Sequence, residues 1–249
     1  QEAAMSTGEP YINIMDNSAF EMYKQGRPMY ETDKLIPMAE KIRADYVVMS
    51  DYPGRPAQCT INAAIETGPV YKEAGYATFF VPQSEIGDYE DYMYGMKWAL
   101  NSELVDRIGL SILGCPNAFG VEKDNRLQRY LSRWKILRDM EDRGWLDIEE
   151  AHKKFHCLGM VDGPNEIELL WPYAMNIATW DSSAAVWAGL NKIKFDNSPT
   201  GLIDGKFETE VDFSMGPQVE VDIANMVMYN IDYINRLCEG ERPYGSVQT

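Results

Sequence analysis

Histidine is nearly absent from this chain: only His152 and His156 occur, close together near one apolar run. No serine–histidine pairing stands out, and His156, on an expected strand, reads as a core residue. Cysteine is sparse as well. Cys59, Cys115, Cys157 and Cys238 are scattered with no CxxC or CxC pair. That spacing disfavours structural zinc ribbons and fingers and points to reduced thiols in a cytoplasmic protein. No apolar run reaches the length of a membrane helix, and nothing near Gln1 resembles a signal peptide, so no membrane partner is expected. Positive charge is in deficit: 23 Lys and Arg against 39 Asp and Glu leave a formal net charge of −16. This argues against electrostatic coating of nucleic acid, though not against an enzyme with one local basic patch. Internal repeats and low-complexity segments are lacking. So is an initiator Met at position 1, where the chain opens QEAAMSTGEP; a processed or trimmed product is expected.

What is present is an alternation. Apolar, β-rich runs recur as YINIM, DYVVMS, YATFFVP, RIGLSIL, KFHCLGM and MNIATW. Segments of helical periodicity lie between most of them: ETDKLIPMAEKIRA, CTINAAIETGPVYKEAG, GDYEDYMYGMKWALN and KDNRLQRYLSRWKILRDMEDRG. Apolar strands alternating with helices imply a parallel sheet covered on both faces. The 249 residues suit a single domain over 1–249 with a TIM-type (β/α)8 barrel, for which ~250 residues is typical. About six strand–helix units are legible, so the opening strands are expected upstream of residue 1; an open doubly wound sheet is the other solution. A long loop is expected at about 192–216, with a hairpin at Asp204-Gly205, and a C-terminal helix at about 217–237.

Three of the apolar runs end in aspartate: Asp16 in IMDNSAF, Asp51 in VMSDYPG and Asp181 in ATWDSSA. A lone aspartate after a strand commonly caps a helix or shapes a turn. In parallel α/β folds, however, the C-terminal strand ends gather functional groups, and here three aspartates and Gln83 share that position. Two such carboxylates suit double displacement at an anomeric carbon, one as nucleophile and one as proton carrier. A third beside a Gln amide suits reading a guanine edge, whose adjacent N–H donors pair with a carboxylate and whose O6 accepts from an amide.

The ordered series IMDNSAFE, VMSDYPG, FVPQSE, HCLGMVDGPNEI and ATWDSSA resembles the tRNA-guanine transglycosylase superfamily over roughly 11–190. It is most similar to the phage and bacterial branch that inserts 7-deazaguanines into DNA. The resemblance implies Asp181 as nucleophile and Asp16 as general acid/base. It also implies base recognition by Asp51 and Gln83, with Phe20 and Leu158 as stacking walls and Gly159 as a close backbone contact. No redox cofactor or catalytic metal is implied; the partners are DNA, or alternatively tRNA, and a 7-deazaguanine base. Asn17-Ser18-Ala19 replaces the family's usual glycine pair, and the family's three-cysteine-plus-histidine zinc motif is absent. These departures favour DNA over tRNA.

Arg126, Arg129 and Arg133 lie at helical spacing and could meet phosphates, although a plain solvated face is the simpler reading. Three rival readings remain: a tRNA transglycosylase, a non-catalytic partner subunit, and a retaining glycoside hydrolase. The Asp16 and Asp181 pair disfavours the partner subunit, and the Asp51–Gln83 pair has no role in the hydrolase. Homo-oligomerisation is left open.

Overall fold

The computed structural model describes residues 12–28, 30, 32–146, 153–160, 162–195 and 221–240. Six strands form one sheet in sequence order: β1 (Ile14–Met15), β2 (Tyr46–Val48), β3 (Ala77–Phe80), β4 (Arg107–Ser111), β5 (Lys154–Leu158) and β6 (Ile177–Trp180). The pairings of β1 through β4 are parallel, with Met15 opposite Val47, Val47 opposite Thr78 and Phe79 opposite Arg107. Parallel neighbours in sequence order need a crossover after each strand. Helices α1 (Ala19–Gln25) and α2 (Thr32–Ile42) follow β1, α3 (Ala57–Glu73) follows β2, and α4 (Tyr89–Asn101) follows β3. Then come α5 (Gly114–Ala118) and α6 (Arg126–Asp142) after β4, and α7 (Pro164–Leu170) after β5. Helices α8 (Ala184–Leu190) and α9 (Val221–Cys238) close the order.

Each expected strand run contains a strand, and each long periodic segment contains a helix. The architecture is mixed α/β with a six-stranded parallel sheet, compatible with a TIM-like fold. The expected C-terminal helix is present from Val221. Positions 217–220, the hairpin at Asp204-Gly205, most of the expected loop, and His152 lie outside the described residues. Among the described residues no helix is long and apolar enough to cross a membrane.

The chain divides into two compact units: Gln1–His156 with Asn176–Ala178, and Cys157–Met175 with Thr179–Thr249. In the first unit β2, β3 and β4 are buried on both faces, as their largely apolar character requires. Val47, Val48, Phe79, Phe80, Ile108 and Leu110 are all buried, as are Leu35, Ile61, Met96, Ile136 and Leu137 of the surrounding helices. Each such side chain stabilises by about 1.5–3 kcal/mol relative to exposure. The N-terminal strand ends are tied by polar bonds. Asp106 accepts from Thr78 N at 2.7 Å and Lys72 Nζ at 3.0 Å, while the Arg107 guanidinium lies 4.4 Å from the Tyr46 ring centre. His156 is buried on β5 with its ring edge-on to Phe79, a core role.

In the second unit α8 and α9 meet at backbone distance. A Cβ on Gly189 would stand 2.8 Å from the Val227 Cα and 2.4 Å from its Cγ2, so only glycine permits the approach. Beside this contact the fully buried Asn230 spends both ends of its amide. Oδ1 accepts from Phe195 N at 2.8 Å, and Nδ2 donates to Ile193 O at 2.9 Å and Ala185 O at 3.3 Å. The four cysteines are thiols outside any disulfide; Cys59 and Cys238 are exposed, Cys115 and Cys157 buried.

Candidate active site

The candidate residues fall into two groups, each built within its own unit. In the first, three strand ends converge on Asp51. Beyond β2, the chain buries this carboxylate to 3% exposure. From the turn after β1, Asn17 Nδ2 donates to Asp51 Oδ1 at 2.8 Å and to Met49 O at 2.7 Å. From the loop after β3, Gln83 Nε2 donates to Asp51 Oδ2 at 2.6 Å. Neither amide carries a charge, and the usual cationic partner of a buried carboxylate is not among its hydrogen-bond donors. Burial pushes the Asp51 carboxyl up to about 7; the Asn17 and Gln83 hydrogen bonds pull against that rise, and the charge of Asp16 adds to it. The group is therefore poised to gain or lose its proton near neutrality.

The Asp51–Gln83 pairing expected from sequence is thus a direct contact, but the amide is turned otherwise than expected. Its NH2 points at the carboxylate instead of standing ready for a guanine O6. Gln83 Oε1, buried and without a hydrogen-bond partner, packs on Gly114 at the start of α5. A Cβ there would lie 3.0 Å from that oxygen and from Pro82 O. Ser111 Oγ fixes this glycine by accepting from Leu113 N at 3.1 Å and Gly114 N at 3.3 Å.

Asp16, the residue before Asn17, is exposed. Phe20, half-buried on α1, has Lys24 Nζ 3.9 Å from its ring centre. One face of the expected stacking ring is therefore covered by an ammonium group, a cation–π contact.

In the second unit, Asp181 is exposed just after β6. Its Oδ1 accepts from Gly159 N at 3.0 Å, its backbone N–H donates to Cys157 O at 3.2 Å, and its carbonyl accepts from Met160 N at 2.8 Å. Ser182 donates its hydroxyl to Met160 O and accepts from Ala184 N at 3.0 Å, opening α8. The Gly159 N–H therefore holds Asp181; its expected contact with a base is not how this donor is spent here. Leu158, at the end of β5, is half-buried.

The row of arginines on α6 is corrected at one position. Arg126 is exposed and Arg129 half-buried, but Arg133 is 2% exposed and donates from Nε to Leu110 O at 2.9 Å. It braces β4 from inside and presents nothing to a phosphate. Tyr89 and Tyr92 serve packing: Tyr89 stacks on Phe119 and donates to Asp139 Oδ2 at 2.6 Å, while Tyr92 is buried.

Two participants were missed by sequence reasoning, Asn17 and Gly114. Asn17 carries a signal, an amide directly after a strand-end aspartate. No protein-family model matches the chain, and no curated protein matches it either.

Proposed function

We propose that this chain is a nucleic-acid base-exchange enzyme that replaces guanine in DNA with a 7-deazaguanine derivative through a covalent aspartyl intermediate. The observation that carries this reading is the buried Asp51 carboxylate joined to Gln83 at neighbouring strand ends and held, among the described residues, by neutral amides. A carboxylate is an acceptor on both oxygens, which suits the two adjacent N–H donors of a guanine edge. A salt-bridged aspartate would have spent that capacity. The six-stranded sheet is read as part of a (β/α)8 barrel, and the strand-end position of these groups fits such a fold.

The chemistry follows in two displacements. A carboxylate oxygen of Asp181 attacks C1′, the bond from C1′ to N9 breaks, and the departing guanine takes a proton from Asp16. The incoming 7-deazaguanine then returns a proton to Asp16, its N9 attacks C1′, and the ester bond to Asp181 breaks. Protons and electron pairs balance over the cycle, so no redox partner is needed.

The decisive experiment incubates the chain with labelled guanine and either duplex DNA or bulk tRNA. Incorporation into DNA supports the reading, and incorporation into tRNA alone redirects it. No incorporation into either, with a folded chain, defeats it in favour of a non-catalytic partner subunit.

A further inference from the structure

Asn17 makes more hydrogen bonds than a helix start requires. Its side chain is 1% exposed, with Oδ1 accepting from Ala19 N at 2.8 Å at the opening of α1. That duty alone would be met by Ser, Thr or Asp. The two Nδ2 hydrogens do something else: they fasten the segment carrying Asp16 to Met49 O at the end of β2 and to the Asp51 carboxylate. Ser18, next in the chain, is held at φ 57, a left-handed conformation that non-glycine residues avoid. The amide on one side and α1 on the other over-determine that turn.

We infer that Asn17 is a positioning residue whose amide sets the orientation and ionisation of Asp51 and fixes the neighbouring Asp16 segment to it. What the two carboxylates then do rests on the base-exchange reading; the coupling itself is a property of the first unit. The groups that act on Asp51 are Asn17 from the turn after β1, Gln83 from the loop after β3, its own backbone N–H, and the charge of Asp16. Burial disfavours the ionised form most strongly, and the Asn17 and Gln83 donors oppose it. Removing one donor therefore raises the proton affinity of Asp51 further. A base bound through two N–H groups needs the ionised form, so its binding should move with that proton.

The test uses the full chain with Asn17→Ala, Asn17→Ser and the isosteric Asn17→Asp. The Asp51 carboxyl is followed by carbon-13 NMR against pH, its signal assigned with Asp51→Asn, and 7-deazaguanine binding is measured over the same range. Asn17→Ala should raise the Asp51 midpoint by about one pH unit, the scale of one lost hydrogen bond to the ionised form. Asn17→Ser, which keeps one donor, should recover part of the shift. Asn17→Asp keeps the cap but sets two carboxylates together, so it should raise the midpoint most. The pH profile of 7-deazaguanine binding should be displaced in the same order. A residue that merely shaped the turn would leave the midpoint unmoved. An unchanged midpoint in folded Asn17→Ser and Asn17→Asp overturns the inference, even if Asn17→Ala fails to fold. Because the titration needs no base, a parent chain that exchanges none defeats the enzyme reading separately.

Discussion

Asp51 holds a carboxyl whose proton affinity is raised by burial from the ordinary 3.8 to about 7, and this has a cost with a definite sign. The favourable contribution of the protonated form is complete below pH 3.8 and is lost as pH rises to about 7, then stays constant. Asp51→Asn should therefore gain stability relative to the parent between those limits, because Gln83 can turn its unpartnered oxygen toward the new NH2. Urea unfolding at pH 4 and pH 8 checks this; parallel profiles for the two proteins would show that the proton affinity of Asp51 is not raised inside the fold. The same substitution should weaken 7-deazaguanine binding by about 1–3 kcal/mol, since a donor then faces donors. Calorimetry would detect that loss. At the two carboxylates proposed to react the outcomes should separate. Asp181→Asn should remove the proposed nucleophile and with it any covalent adduct on denaturing gels. Asp16→Asn should slow adduct formation by about 10²–10⁴-fold without preventing it. An adduct that survives in the Asp181 variant and vanishes in the Asp16 variant would reverse the two roles.

Among the elements, the α8–α9 contact offers the sharpest prediction. Gly189→Ala would press a methyl group into the Val227 backbone, where no side chain can rotate away. Overpacking of this kind costs about 1–3 kcal/mol, and more when backbone must shift. Hydrogen exchange should show faster opening of α9 with β2, β3 and β4 still protected; equal protection of α9 in both proteins would mean that the helices slide apart at little cost. Elements were legible because period and burial agree: DYVVMS and YATFFVP are apolar on both faces, and the strands there are buried on both. Arg133 shows where that logic stops. Its spacing from Arg126 and Arg129 puts all three on related faces of α6, but not whether a given turn of the helix is covered. At Arg126 the turn is open; two turns on, it is packed against β4. The orientation of Gln83 and the double bond of Asn17 to Asp51 and Met49 depend on residues more than 30 positions apart, which no local pattern encodes.

Over the whole molecule, a net charge of −16 repels a polyanion at long range, so the proposed binding of DNA would have to rest on few local contacts. With Arg126 and Arg129 left on the accessible part of α6, the logarithm of DNA affinity should fall with log salt at a slope of about −2, near −0.9 per phosphate contact. Arg126→Ala should make the slope shallower by about one; fluorescence titration over a salt series measures both. A parent slope several times steeper would point to a cationic surface elsewhere. The cysteines have a different use. Each unit holds one exposed thiol, Cys59 in the first and Cys238 in the second, and one buried thiol, Cys115 and Cys157 respectively. An added thiol reagent would label the outer pair in the folded state, whereas each inner sulfur must wait for its own unit to open. The lag at Cys115 and the lag at Cys157 are thus two internal clocks, one per unit. If they run at one rate the halves of the chain open together, and if they differ the ratio measures how much more readily one half comes undone.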